Sequence, residues 1–262
     1  MKTKVRCIVL IALSFLISSQ VPAADFKSRG DHFFELRNEF VMGAPSAANI
    51  DSAVYFYKQA LAGETVTPDL LYKYTRAVDF KYMYFCNDKS VKRRKYKELI
   101  ELLEKAYPEF ANSAELNYSL ALAWGRYGEL IGVLRAAKNG IAGKVKFYGE
   151  KLYFINKDFK SGAAGVILGR LHYITPRLPF ILTWPNLKKS EQYLAETVEK
   201  YPSYLRAKLY LADTLWKVND KSRARYYYNA VMTSRVDPKE YMEQTTTKKE
   251  CVAEMKKKGI NK

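Results

Sequence analysis

The sequence predicts an all-α protein built as a helical-repeat solenoid with insertions between its helices. Apolar residues recur at helical spacing along nearly the whole chain beyond residue 23, and stretches of alternating Val, Ile and Thr bounded by turn signals are almost absent. A leucine followed by a small residue recurs as Leu120-Ala121, Leu168-Gly169 and Leu211-Ala212, with a weaker echo at Arg76-Ala77. The small residues of these pairs lie 44, 48 and 43 positions apart. A second pattern stands in Asp51–Leu61, where Ala53, Tyr57, Ala60 and Leu61 form a small-aromatic-small-large series. Small residues let two helices approach, and the aromatic fills the groove beside them.

At the start of the chain, Lys2, Lys4 and Arg6 precede the apolar run Cys7–Ile17, and Val21-Pro22-Ala23 offers a small-residue cleavage site. Residues 1–23 therefore read as a Sec signal peptide, with a mature chain from Ala24 that is periplasmic or otherwise exported. The run is too short to span a bilayer. Cys7 lies before most of it instead of at the cleavage site, so there is no lipobox. Loss of this segment lowers the formal net charge from +17 to +14. A basic exported protein favours acidic partners such as anionic lipid head groups, acidic wall polymers or an acidic protein, and not nucleic acid. Cys86 and Cys251 remain, and their separation in a solenoid argues against a disulfide.

Asp51–Leu61 reads as the second helix of a repeat. The C-terminal unit is more complete: Leu211-Ala212 and Leu215 fit a first helix, Asn219-Asp220 a turn, and Ala224, Tyr228 and Val231 a second helix, with Pro238 as the stop. This is tetratricopeptide spacing, so residues 24–240 are expected to form a tetratricopeptide-repeat-like α-solenoid. A plain unit places about 12 positions between the small residues of its two helices, which Ala212 and Ala224 match. Ala121 to Val145 and Gly169 to Ser190 exceed that distance by about a dozen and about nine residues, which defines two insertions. The run Lys89–Lys97 opens a second helix, either as a solvated linker or as a dock for an anionic membrane or acidic partner. Residues 241–262 read as a basic tail, short and amphipathic or frayed.

The first insertion lies in Leu122–Lys144, LAWGRYGELIGVLRAAKNGIAGK, whose glycines raise the question of a phosphate loop. Gly143-Lys144 is followed by Val145 and not by Ser or Thr, Gly140 is three positions before Gly143 and not five, and no strand precedes. The glycines are expected to turn the chain out of one helix at Gly125–Gly128 and back at Gly140–Gly143. The second insertion, Thr175–Asn186, holds three prolines, yet Leu178, Phe180, Ile181, Leu182 and Trp184 are too apolar for an exposed loop. Either it covers the solenoid's own core, or it caps a groove or forms a partner contact through Phe180 and Trp184.

A resemblance becomes specific in the series Trp124-Gly125-Arg126-Tyr127-Gly128, Gly149-Glu150-Lys151, Leu168-Gly169-Arg170-Leu171-His172-Tyr173 and the following Leu-Pro-Phe insertion. Together these residues resemble the T component of tripartite ATP-independent periplasmic (TRAP) transporters, and the related tetratricopeptide domain of regulators of microtubule dynamics. The resemblance implies a periplasmic helical-repeat protein that associates with the solute-binding component of such a transporter, with a homo-oligomer and a hydrophobic channel as further options. The chain departs from that pattern in lacking a lipobox and in carrying Lys157-Asp158 where a repeat usually has Asn-Pro.

Chemistry is sparsely provided for. His32 and His172 are the two histidines, and neither has a partner at metal-ligand spacing. No catalytic residue, cofactor or metal is expected, and His172 reads as a packed or groove-lining side chain. Binding has better material. By their offset from the Leu-small pairs, Tyr118, Leu122, Arg126, Arg170, Tyr173, Leu209, Asp213 and Trp216 are expected on the concave face. Such a face suits an extended peptide or an amphipathic, anionic ligand, although Tyr118 and Trp216 could equally seal neighbouring repeats. Arg126 and Arg170 are expected to stand open in a groove, awaiting an acidic or polar group. The functional expectation is a non-enzymatic exported adaptor that binds a protein partner as a transporter accessory. The alternatives are a carrier of an apolar or amphipathic ligand and an envelope scaffold.

Overall fold

Helices begin where the sequence supplies caps. Thr67, Asp88, Ser113, Asn186 and Asp220 each turn a side-chain oxygen onto amides of the first turn that follows. The computed structural model describes residues 23–260 except Glu64, Pro179 and Ile181, so the expected signal peptide lies almost wholly outside the described residues. Among them stand α1 (Ala23–Glu35), α2 (Ala48–Gly63), α3 (Pro68–Tyr84), α4 (Lys89–Phe110), α5 (Ala114–Ile131), α6 (Val133–Lys138), α7 (Ile141–Asn156), α8 (Phe159–Ile174), α9 (Leu187–Lys200), α10 (Leu205–Lys217), α11 (Lys221–Thr233) and α12 (Tyr241–Lys257). Two 3₁₀ turns, Leu36–Asn38 and Pro238–Glu240, and a hairpin of two-residue strands, Phe40–Val41 with Ala44–Pro45, complete the chain. The fold is all-α, as the periodicity predicts.

The helices form two layers. The inner layer is α1, α3, α5, α8, α10 and α12, and each of the outer helices α2, α4, α7, α9 and α11 packs against the inner helices before and after it. The small residues of the sequence pattern lie at these contacts. Ala77, Ala121 and Ala212 on the inner helices and Ala53, Ser190 and Ala224 on the outer ones are buried to within 1%. A Cβ at Gly169 would stand 2.5 Å from Leu194 Cγ, so the pair α8–α9 approaches at a distance that only glycine allows. The aromatic of the pattern also has a polar role. Tyr57, Tyr96 and Tyr228 reach from outer helices and donate their hydroxyls to Asp31, Asp79 and Asp213 on inner ones, each at 2.7 Å.

Polar contacts between successive inner helices repeat at the same period. Arg126 meets Asp79 across 47 residues, Lys217 donates to the Tyr173 carbonyl across 44, and Lys258 meets Asp213 across 45. Corresponding turns therefore lie side by side, and the inner helices run in one direction. The row also closes on itself. Arg37, just beyond α1 and only 7% exposed, donates from Nε and Nη2 to Glu243 Oε1 of α12 at 3.1 and 3.0 Å. Asn38 donates to Glu243 Oε2 at 2.9 Å and accepts from the Met242 amide at 2.9 Å.

Two expectations need correction. Residues 241–257 form an amphipathic helix and not a frayed end, because α12 is the last inner helix and inserts Cys251 and Met255 into the core of the C-terminal repeats. Its apolar positions Thr247, Cys251 and Met255 are spaced by four among many lysines, so the charge concealed the stripe. The glycines of the first insertion do not turn the chain at Gly125–Gly128, since α5 runs through both. The break comes at Gly132, with φ 93°, and α7 starts after the left-handed Gly140, with φ 74°. Gly128 instead permits close packing, as its Cβ would lie 3.2 Å from Ile141. Cys86 and Cys251 are both free thiols.

Replacing Glu243 with Ala strands the buried Arg37 guanidinium, a loss expected to cost about 3–5 kcal/mol of unfolding free energy. Urea denaturation of the variant checks this, and a loss under about 1 kcal/mol would show that Arg37 rehydrates without it.

Candidate functional site

The inner helices do not meet along the axis they surround. They surround a half-open chamber of about 950 Å³, lined from α1, α3, α5, α8, α10 and α12, with α6 and the start of α7 along one side. Among the outer helices only α7 contributes to the wall, through Ile141, Ala142 and Val145. Where the first turns of α3, α5 and α8 meet, Tyr72, Tyr118 and Phe159 pack edge to face or tilted, with ring centroids 5.5–5.7 Å apart. Toward the opposite end, the later turns of α5 and α8 bring Leu122, Ile167 and Leu171 into the lining.

Four of the residues expected on the concave face come together here: Tyr118, Leu122, Arg126 and Arg170. The arginines are not open, as expected, but already partnered. Arg126 Nε donates to Asp79 at 2.9 Å. Burial alone would lower its pKa, yet Asp79 and Glu129 outweigh that and raise it further, so the side chain stays charged. Arg170 reaches Asp213 at 3.5 Å and lies over the ring of Tyr210 at 4.4 Å, while its Nε is buried without a partner.

The other four lie outside the lining. Leu209 is buried in the core toward the outer layer, because its register turns it away from the axis. Asp213, 4% exposed, is a structural acceptor gathering Tyr228, Lys258 and Arg170. Trp216 packs on the C-terminal core beneath the Lys221 ammonium, 3.8 Å from its ring. Tyr173 borders a smaller cleft of about 390 Å³ beside the second insertion.

Residues that the pattern did not single out complete the lining, among them Tyr72, Arg76, Lys160, Tyr204, Arg206 and Tyr210. Arg76 sat in the leucine place of a Leu-small pair, which assigns it to the core. The structure instead places Arg76 in the chamber lining. No signal of this kind marks Lys160. Its backbone lies in the left-handed region together with Ser161 and Gly162, an arrangement without sequence periodicity.

The second insertion is ordered. Leu178 and Leu182 exchange two backbone hydrogen bonds around a fully exposed Phe180, and Leu182 is buried. Trp184 is half-buried against the core formed by Ile141, Val145 and Leu171, and meets His172 edge to face at 5.3 Å. His172 is buried, and its Nδ1 accepts from the Asn186 amide at 3.2 Å, tying the end of the insertion, at the cap of α9, back to α8. Of the two expected insertion contacts, Trp184 therefore covers the core and Phe180 faces outward. The basic run Lys89–Lys97 lies on α4, with Lys95 and Lys97 paired to Glu98 and Glu101 on that helix.

Among the described residues no group of His, Cys, Asp and Glu is placed to hold a metal, and no helix is long and apolar enough to cross a membrane. No family model matches the chain, and no curated protein matches it.

His172 supplies a pH test. Burial first, then the charges of Lys189 and Lys146, push its pKa down from 6.5 to about 4. Between these values the unfolded chain binds the proton and the native one does not, so stability present above pH 6.5 is lost as pH falls toward 4, by up to about 3 kcal/mol. The urea midpoint should fall across that window, and a His172→Asn variant should fall less. Identical slopes would exclude His172 as the titrating group.

Proposed function

We propose that this chain is a non-enzymatic binding protein that holds an amphipathic small molecule in the chamber between its inner helices. The lining carries this reading. Close-packed helices leave few voids larger than water, whereas about 950 Å³ stays open here, walled by aromatic and aliphatic side chains interleaved with many charged ones. That size and mixture suit a small-molecule site. Among the described residues no lining hydroxyl donates to a histidine or carboxylate, and most of the arginines are committed to acids, so the groups present favour holding a ligand over transforming it.

The export expected from residues 1–23 and the resemblance to T components set this role in the cell envelope, beside a periplasmic solute transporter. A second reading, an adaptor for a protein partner such as a solute-binding component, is favoured by Phe147 and Phe154. Both are exposed and seven residues apart on the outer helix α7. The two readings are compatible, since ligand and partner would occupy different layers.

A chamber-filling variant tests the first reading. Leu122→Trp should leave the melting temperature within a few degrees of the parent and weaken binding of an apolar fluorescent probe, such as N-phenyl-1-naphthylamine, by about tenfold or more. Absence of saturable probe binding by the parent protein would contradict the reading.

A further inference from the structure

The charges in the chamber are unequally satisfied. Arg126, Arg170 and Arg206 each face a carboxylate, from Asp79, Asp213 and Glu250. Arg76 and Lys160 have no ion pair among the described residues, although both line the chamber. Each lies instead against aromatic rings. The Arg76 guanidinium is 4.6 Å from the Phe34 ring and 5.6 Å from that of Tyr72, and the Lys160 ammonium is 5.2 Å from Tyr72. Tyr72 itself is only 6% exposed, and its hydroxyl is buried without a hydrogen-bond partner. Such orphaned groups are rare in folded proteins, because an unmet buried hydroxyl costs about 1–3 kcal/mol.

The backbone holds this arrangement at a cost. Lys160 and Ser161 take φ of 48° and 56°, followed by Gly162 at 77°, three left-handed residues in series before α8 becomes regular. Each of the two non-glycine residues is disfavoured there by about 1–2 kcal/mol. The segment is pinned from behind, since even a Cβ on Gly162 would come within 3.0 Å of Thr197. Strain of this kind persists where surrounding packing fixes it, and it concentrates at binding sites. Its effect here is to set a second cation beside Arg76 over the same tyrosine. Burial, and then the neighbouring Arg76 charge, lower the Lys160 pKa against the smaller opposing pull of Glu35 and Asp69.

From this geometry we infer that Arg76, Lys160 and the Tyr72 hydroxyl form the headgroup subsite of the chamber, receiving the oxyanion of a single-tailed amphiphile whose apolar tail runs toward Leu122, Ile167 and Leu171. A carboxylate or a phosphate monoester would satisfy all three groups, with the guanidinium fork and the phenol donating to its oxygens. The site rests on the chamber-binding reading and adds the ligand class and its orientation.

Three fluorescent probes with the same polyene tail separate the possibilities: cis-parinarate, its methyl ester, and the corresponding monoalkyl phosphate. At least one anionic probe should bind the parent protein about tenfold or more tightly than the ester, and a carboxylate preference over phosphate or the reverse identifies the headgroup. The double variant Arg76→Gln/Lys160→Gln should lose that preference while binding the ester within about twofold of the parent. Tyr72→Phe should weaken the anionic probe by about threefold to tenfold. Lys160→Gln alone, at an exposed position, gives the same direction of change if the double variant does not fold. Equal binding of ester and anions by the parent would overturn the subsite and leave the chamber reading intact. Failure of every probe to bind would overturn both.

Discussion

The ion pair between Arg37 and Glu243 joins the turn that follows the first inner helix to the last inner helix, across 206 residues of sequence. A row of helix pairs has two free ends, and the concave side of an open row is a groove. Once the ends are tied, the groove becomes a half-open chamber walled by the inner helices. The chamber depends on this contact in a direct way, because α12 supplies both Glu243 and part of the wall through Gln244 and Thr247. Arg37 is held on both sides, by the acid of α12 and by the rings of Phe34 and Phe80 at 4.5 and 5.5 Å. A buried guanidinium so placed specifies which ends meet, since a hydrophobic contact would be less selective.

Within the ring, buried carboxylates take the place that hydrophobic packing alone would leave ambiguous. Asp79 and Asp213 each accept from a tyrosine of the outer layer and from an arginine or lysine of an adjacent inner helix. Layer-to-layer and repeat-to-repeat register are thus set by the same atoms. The cations engaged in this way are structural even where they border the chamber. Arg76 and Lys160 differ in having no such acid, and this contrast separates groups that build the wall from groups that face a ligand.

The repeat was legible because its determinants are local. Ala77, Ala121, Gly169 and Ala212 must be small for helices to approach, and Tyr57 and Tyr228 follow their small partners by four residues. The parts that were not legible have specific causes. In α12 the apolar positions are isolated among lysines, so the segment resembled a solvated tail. Gly125 and Gly128 suggested a turn because glycine is read first as backbone freedom, whereas Gly128 serves contact with Ile141. Asp213 and Leu209 carried the right period but the wrong side of the helix, a difference of about 100° per residue that one offset cannot resolve. The clasp and the left-handed turn at Lys160 have no periodic signature at all.

The most direct measurement is a crystal structure of the full chain with a long-chain carboxylate brominated at its far end. A chamber with a headgroup subsite predicts one anomalous bromine peak near Ile167 and Leu171, with the carboxylate within hydrogen-bonding distance of Arg76 and Tyr72. A bromine peak on the outer layer, or a chamber that remains closed to the ligand at saturating concentration, would contradict it.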